Sequence, residues 1–286
     1  MAAADEYVSS RWVGDVRVTA INEGKLPLSV NLTVPEEVWR QEISADSGGK
    51  IPLDVNVLLV QTGDATILVD AGLDEPESNW NRRFLDRWPR SVRTPGVVAG
   101  LASMGVKPED VTHVLITHTH FDHTVGVAAE QDRRLVPRYP NARVLVGRAD
   151  WEHAPEGQLA MEQQEPRIGA LAEAGLLDLV DSEREIVSHV TMIPSPGESS
   201  GHSLIRISSN HQTLFAVGDL FHYAAEVAHP HWMVTWADQK QMQASRRKLL
   251  DDAVSTNALV VFTHANFPPW GRIVPNEDSD FSWRRA

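Results

Sequence analysis

The sequence predicts an α/β fold of the α+β kind: two mixed β-sheets packed on each other, with helices outside. Three observations carry that expectation. Strand-like apolar runs recur along all 286 residues, helical periods are fewer, and both kinds occur in both halves of the chain. Turn signals between neighbouring runs mark hairpins, so part of the pairing is antiparallel. No internal repeat, low-complexity segment or long linker divides the chain, so a single domain over 1–286 is expected.

In chain order, the strand-like runs are "DVRVTAI" (15–21), "VNVLLVQ" (55–61), "ATILVDAG" (65–72), "VTHVLIT" (111–117) and "ARVLVG" (142–147). They continue with "EIVSHVTMI" (185–193), "SLIRISS" (203–209), "QTLFAVGD" (212–219) and "ALVVFTH" (258–264). Gly63-Asp64 separates the second from the third, and Ser209-Asn210 precedes the eighth. The clearest helix runs from about Asp238 to Val254, where Met242, Leu249, Leu250 and Ala253 form an inward stripe. Shorter helices are expected at 96–104, 148–151 and 166–174, the last stopped by Gly175. Residues 25–50 and 221–237 are irregular but too apolar for plain exposure, so both are expected to cover a pocket, the first packing near the active site.

Composition narrows the partners. Thirty-nine acidic against 26 basic residues give a net charge of −13, which repels a phosphate backbone, so no nucleic-acid partner is expected. There is no cysteine, which excludes disulfides, thiolate nucleophiles and sulfur-ligated metals. The start carries two acids and no apolar core of a signal peptide, and no run is long enough to span a membrane, so a cytoplasmic chain with no membrane partner is expected.

The densest chemistry is "HTHFDH" at 118–123. With twelve histidines in the chain, such a window arises by chance on the order of once in a thousand chains. His118 and His120, two apart at a strand end, point the same way in extended backbone and can converge on one cation. Asp122 and His123 can reach a neighbouring position only if the chain turns into a short helix there. Three further candidates sit at strand ends: His202 before a strand, Asp219 and His264 after one. Histidine and aspartate without sulfur suit zinc, or Mn, Fe or Co. The lone histidines read differently. His113 is a packed or rim residue, His153, His189 and His211 are surface residues, and His229 and His231 flank a structural proline.

Five ordered motifs, "LVDAG" (68–72), "HTHFDH" (118–123), "SSGHS" (199–203), "VGDLF" (217–221) and "FTHANF" (262–267), resemble the metallo-β-lactamase superfamily over about residues 55–264. The resemblance implies a four-layer αββα sandwich. It implies two divalent metal ions, one held by His118, His120 and His202, the other by Asp122, His123 and His264. Asp219 would bridge them, and Asp70 would be the buried acid behind the site. A hydroxide shared between two such cations attacks the substrate, and Asp122 is the candidate to return a proton to the leaving group.

Within the superfamily, "GDLFH", "AHPHW" and the "HANFPPWGRI" ending are most similar to lactonases of N-acyl-homoserine type and to methyl-parathion-hydrolase-like enzymes. A lactone or carboxylic-ester hydrolase, with quorum-quenching lactonases as the nearest type, is therefore the leading expectation. An organophosphate or aryl-ester hydrolase is a second. A persulfide-dioxygenase-like enzyme with a single iron on His118, His120 and Asp219 is a third, and a non-catalytic binding module a fourth. Two departures bear on substrate. His222 stands where many lactonases carry Tyr, with Tyr223 next, and Glu198 stands in "PGESSGH" where many members have His. His222 is accordingly a catalytic candidate beside Asp122 and Asp219. Nine tryptophans against three tyrosines point to aromatic walls for an apolar small molecule, with His222, Tyr223, Trp232, Trp236 and Trp270 as substrate contacts and Trp39 nearby. The resemblance also brings homodimerisation, with residues 25–50 taking part.

Overall fold

The computed structural model describes residues 6–27, 31–45, 51–152, 164–277 and 280–286. His153 and parts of the 25–50 segment lie outside these residues. One eight-stranded mixed sheet runs Val8–Val13, Val16–Leu26, Leu53–Gln61, Thr66–Val69, His113–Leu115, Arg143–Gly147 and Leu177–Val180, with Val92–Arg93 paired beside Val16–Leu26. The second sheet, seven-stranded and also mixed, runs Arg184–Val187, Val190–Pro194, Ser203–Ser209, Gln212–Ala216, Leu259–Val261, Gly271–Asn276 and Asp280–Arg285.

Side-chain alternation explains the layering. In Leu53–Gln61, Leu58 and Val60 face the second sheet, while Val57 and Leu59 face the outer layer. Between the sheets Val18, Val60, Ile67 and Leu115 meet Ile205, Ile207, Leu214 and Val261. On the outer face of the first sheet, Ile21, Leu68 and Val144 are covered by Leu101 and Leu171 of helices Val97–Ser103 and Gln164–Glu173. On the other outer face Phe215 and Val260 lie beneath Leu249, Leu250 and Ala253 of Gln239–Thr256. Helix, sheet, sheet and helix thus stack as four layers, because strands apolar on both faces must be covered on both.

The long helix starts where Asp238 accepts from the Gln241 N–H and stops at Asn257 in left-handed backbone. Both expected hairpins form: Leu53–Gln61 pairs antiparallel with Thr66–Val69, and Ser203–Ser209 with Gln212–Ala216. The run 185–193 is corrected. It divides into Arg184–Val187 and Val190–Pro194, paired antiparallel, because the chain reverses at Ser188-His189 with His189 at φ 76°. Helix Asn79–Arg87, the ribbon Ala128–Gln131/Arg134–Pro137 and the two C-terminal strands were not anticipated. No described helix is long and apolar enough to cross a membrane.

Behind the first sheet lies a buried ion network. Asp74 pairs with Arg138 and, at 2.6 Å, with fully buried Arg167. Glu23 accepts from the Leu73 N–H at 2.7 Å and lies 3.4 Å from Arg93. Burial pushes the Glu23 carboxyl up to about 8, only partly offset by Arg93. Its usual value is 4.5, so between pH 4.5 and 8 the unfolded chain has lost a proton that the folded chain keeps. Stability therefore falls through that window and levels off above it. Denaturant unfolding from pH 5 to 8.5 should show wild type losing stability relative to Glu23→Gln, by about 5 kcal/mol for the full displacement. Parallel pH profiles for the two proteins would refute this.

Candidate metal centre

Strand topology assembles the site. Gln212–Ala216 and Leu259–Val261 run parallel as neighbours, so the turns leaving them set Asp219 and His264 side by side. Ser203–Ser209 runs antiparallel to the first of these, which brings His202, just before it, to the same end. From the other sheet, the chain leaves His113–Leu115, bends at Thr117 and reaches His120 in extended backbone. It then turns into the short helix Phe121–Thr124, with His120 at its N-cap and Asp122 in the first turn. Gly218 makes the closest approach workable. At φ 53°, a β-carbon there would stand 2.7 Å from His202 Nε2 and 2.9 Å from Thr117 Cβ.

The side chains converge on the Asp219 carboxylate. Its Oδ2 lies 3.2 Å from His264 Nε2, 3.3 Å from His222 Nε2 and 3.8 Å from His118 Nε2, and its Oδ1 lies 3.4 Å from His123 Nε2. Asp122 Oδ2 is 3.4 Å from His264 Nε2, and His118 Nε2 is 2.8 Å from His120 Nδ1. Donors about 2.1 Å from a shared cation stand about 3–3.5 Å apart, and the separations of 3.2–3.4 Å among Asp219, His123, His264 and Asp122 fall in that range. His118, His120, Glu198 and Asp219 form one group within 4.8 Å, and Asp122, His123 and His264 form another. His202, fully buried, stands behind the first group, its Nε2 accepting from the Asp219 N–H at 3.3 Å. Buried His123 Nε2 and Asp219 Oδ1 find no hydrogen-bond partner in the protein. Orphaned nitrogen and oxygen atoms aimed at one another fit divalent cations, not a packed core.

Each loop that carries a donor is tied to another element. Asp70, a non-glycine at φ 62°, accepts from the Thr117 N–H at 2.7 Å and from its hydroxyl, and holds His123 Nδ1 at 2.8 Å. Its other neighbours fix the ring, so His123 Nε2 faces the cage. Asp150 accepts from Thr119 N–H, Ser199 hydroxyl and Gly201 N–H, joining the 118–123 and 195–202 loops. Asn56 donates to the carbonyls of Thr263 and Ala265, while the Asp54 carbonyl lies 2.7 Å from His264 Nδ1. Behind His222, Glu226 Oε1 accepts from the His222 and Tyr223 N–H groups, and Glu226 pairs with fully buried Arg246. Arg246 also donates to the carbonyls of Leu220, Pro230 and Trp232.

Burial lowers His118 well below the ordinary imidazole value, His120 to about 3 and His202 to about 4, so all three are neutral, although His202 Nδ1 lies 3.0 Å from the Ser195 carbonyl and its Nε2 accepts from the Asp219 N–H. His123, His222 and His264 move the other way. Burial opposes their charge, but Asp219 outweighs it, with Asp70 and Asp122 adding to His123, and raises His222 to about 9. Burial acts against the Asp219 carboxylate too, yet His264, His123 and His222 hold it well below the usual range. The centre is thus arranged around anionic carboxylate, with three neutral imidazoles on one side.

The expected contacts separate. Trp236 stands edge-on to His120 and His222, with ring centroids 6.3 and 6.2 Å away. Tyr223, His222 and His264 line a cavity of 430 Å³ whose other walls include Ile43, Ile51 and Pro52. Trp232 is buried within the lid, stacked on His229 and packed with Trp39, Leu32 and Val234. Trp270 is a correction. It is fully buried between the sheets, its Nε1 donating to Ser9, because the chain turns inward at Gly271 before re-entering the sheet. Glu198, Glu226, Arg246 and Asp150 were not anticipated as parts of the site. Arg246 had a signal, a lone cation on the apolar stripe Met242, Leu249, Leu250 and Ala253. Glu226 had one only through its spacing, four residues from His222.

Comparison with known proteins agrees with this geometry. The family described as Metallo-beta-lactamase superfamily matches residues 51–264. A probable metallo-hydrolase of Mycobacterium tuberculosis is 27% identical over 244 residues, 79% of this chain and 74% of its own length. An N-acyl homoserine lactonase of Bacillus cereus is 23% identical over 213 residues, 72% of this chain and 79% of its own. A solved dizinc quorum-quenching lactonase, in complex with its product N-hexanoyl-L-homoserine, superposes with a TM-score of 0.77 at 21% identity, covering 98% of this chain and 97% of the other.

Glu226→Ala would strand Arg246 as an unpaired buried cation, and urea unfolding should register a loss of about 3–5 kcal/mol. Loss of less than about 1 kcal/mol, the range of a solvated surface pair, would show that the pair does not hold the loop.

Proposed function

The chain belongs to the metallo-β-lactamase superfamily, and on that premise we propose that it is a dinuclear metal-dependent hydrolase acting on a small apolar lactone or carboxylic ester. The observation that carries the reading is the convergence of two buried donor groups on Asp219 beside a cavity of 430 Å³ of mixed polar and apolar lining. The lactonase relatives, one of them dizinc, support the substrate class. A single-iron reading would leave Asp122, His123 and His264 without a purpose, though all three are buried and face one another.

A pair of divalent cations held there, zinc being the first choice for this donor set, would polarise a carbonyl oxygen and bring water's pKa toward neutrality. The rest falls to the chain's own residues. Asp70 and Asp54 keep the His123 and His264 rings turned inward. Ile43, Ile51 and Tyr223 take the apolar part of the substrate and exclude bulk water. Asp122, its Oδ2 directed at His264, takes the proton released as water adds to the carbonyl, then returns it to the departing alcohol oxygen. His222, its Nε2 3.3 Å from Asp219 Oδ2, would donate through that nitrogen to the oxygen that gains charge. The products are the carboxylic acid and the alcohol, joined in one molecule when the substrate is a lactone.

Purified, metal-reconstituted protein should open acyl-homoserine lactones or cleave aryl esters. His118→Ala and Asp219→Ala should each lower kcat/KM by at least about 100-fold, as removal of one group that stabilises developing charge does. Activity should vanish on chelation and return with metal. A panel that adds paraoxon-type phosphotriesters separates the organophosphate reading. Silence on every substrate would reject the class, and activity indifferent to chelator would reject the metals.

A further inference from the structure

Glu198 is among the costliest side chains in the molecule to place. It is 3% exposed, and its Oε2 has no hydrogen-bond partner. Its Oε1 accepts from Trp236 Nε1 at 2.8 Å, and the same oxygen lies 3.5 Å from His120 Nδ1 and 3.8 Å from His222 Nε2. A buried carboxylate with one neutral donor is under-compensated, since a single hydrogen bond does not replace the water it lost. The surrounding donors indicate what completes it. Glu198 offers an oxygen within 4.8 Å of ligand atoms from His118, His120 and Asp219 simultaneously. Its 3.5 Å from His120 is the spacing of two atoms on one cation. The loop bearing it is fixed from both sides: Asp150 accepts from Ser199 and Gly201, and Gly197 packs on Met242 of the long helix so closely that a β-carbon would stand 2.3 Å from Met242 Cα.

We infer that Glu198 is a further ligand of the cation held by His118 and His120, an eighth donor beside the seven of the proposed centre. The inference rests on the dinuclear reading above. It has a chemical consequence. Three carboxylates, Asp122, Asp219 and Glu198, now face two divalent cations, and one position gains a hard oxygen. Oxygen-rich sites of higher coordination suit Mn²⁺ better, relative to Zn²⁺, than an imidazole set does. Glu198 therefore narrows the preference for zinc at this position.

The test is metal binding, read without substrate. Apo protein is titrated with Zn²⁺ and with Mn²⁺ against a chromophoric chelator, and the Co²⁺ form is followed by its visible absorption. Glu198→Gln keeps the shape and the Trp236 bond. It should bind one equivalent of Mn²⁺ on the order of 100-fold more weakly, at or beyond the upper end of what an outer partner is worth, and Zn²⁺ by less. The Co²⁺ bands should intensify as coordination falls. Trp236→Phe, which removes only the hydrogen bond, should titrate within twofold of wild type. Melting of both apo variants near wild type confirms that they fold. Unchanged titration and Co²⁺ spectrum in Glu198→Gln would overturn the inference and leave the dinuclear reading intact. The same loss in Trp236→Phe would also overturn it, since the carboxylate would then act only through the indole. Wild type that binds no divalent cation would overturn both.

Discussion

The structure turns on a single buried negative charge. Asp219 is 2% exposed, and among the described residues its ion-pairing neighbours are imidazoles. Four imidazole nitrogens between 3.2 and 3.8 Å take the place that solvent or a salt bridge would fill. Imidazoles are weak compensation for a desolvated carboxylate, which is costly to bury unless it is paired. Divalent cations held there, as proposed, would add charge at the point where both sheets end, and their binding would be stabilisation that the unfolded chain lacks.

Holding such a cage needs more than the attraction between Asp219 and its imidazoles, which fixes distances but not ring orientations. The stiffness comes from buried polar groups one layer back. Asp70, Asp150 and Asn56 each bond backbone or hydroxyl groups of the loops bearing His118 to His123, His202 and His264. Arg246 does the same from helix Gln239–Thr256, collecting three carbonyls of the 220–232 loop and Glu226. Even the left-handed backbone at Asp70 belongs to this scheme. Strain of order 1–3 kcal/mol at a non-glycine persists only where its surroundings over-determine it, and here both carboxylate oxygens and the amide are engaged.

Much of this was legible in the residues. Continuous apolar runs and the turn pairs at 63–64 and 209–210 located the central strands, because strands buried on both faces must be apolar throughout. The spacing of "HTHFDH" implied extended chain followed by a turn, and the backbone does that at His120. What escaped was short or long-range. Edge pieces such as Val8–Val13, with Ser9, Ser10 and Arg11 in the middle, carry little apolar signal, since only one face is covered. Trp270 looked like a site residue because it follows His264 by six positions, but an antiparallel turn returns it to the core between the sheets. Glu198 and Arg246 are polar residues whose meaning depends on neighbours 14 or more positions away, which no local pattern encodes.

The lid follows from the same physics. A water-reactive centre open to solvent would lose the low dielectric that strengthens its electrostatics. The 31–45 segment and the 221–237 loop meet over it. Leu32 bridges to Val234, Trp39 and Trp232 pack in one apolar cluster, and Glu42 reaches His229 at 2.7 Å. The 221–237 loop is anchored by the buried Arg246–Glu226 pair, and the 31–45 segment is tied to that loop by backbone hydrogen bonds from the Thr33 N–H to the Met233 carbonyl at 2.7 Å and from the Thr235 N–H to the Asn31 carbonyl at 2.9 Å. The cavity between them is lined by Ile43, Ile51 and Tyr223, with His222 and His264 of the proposed centre in its wall.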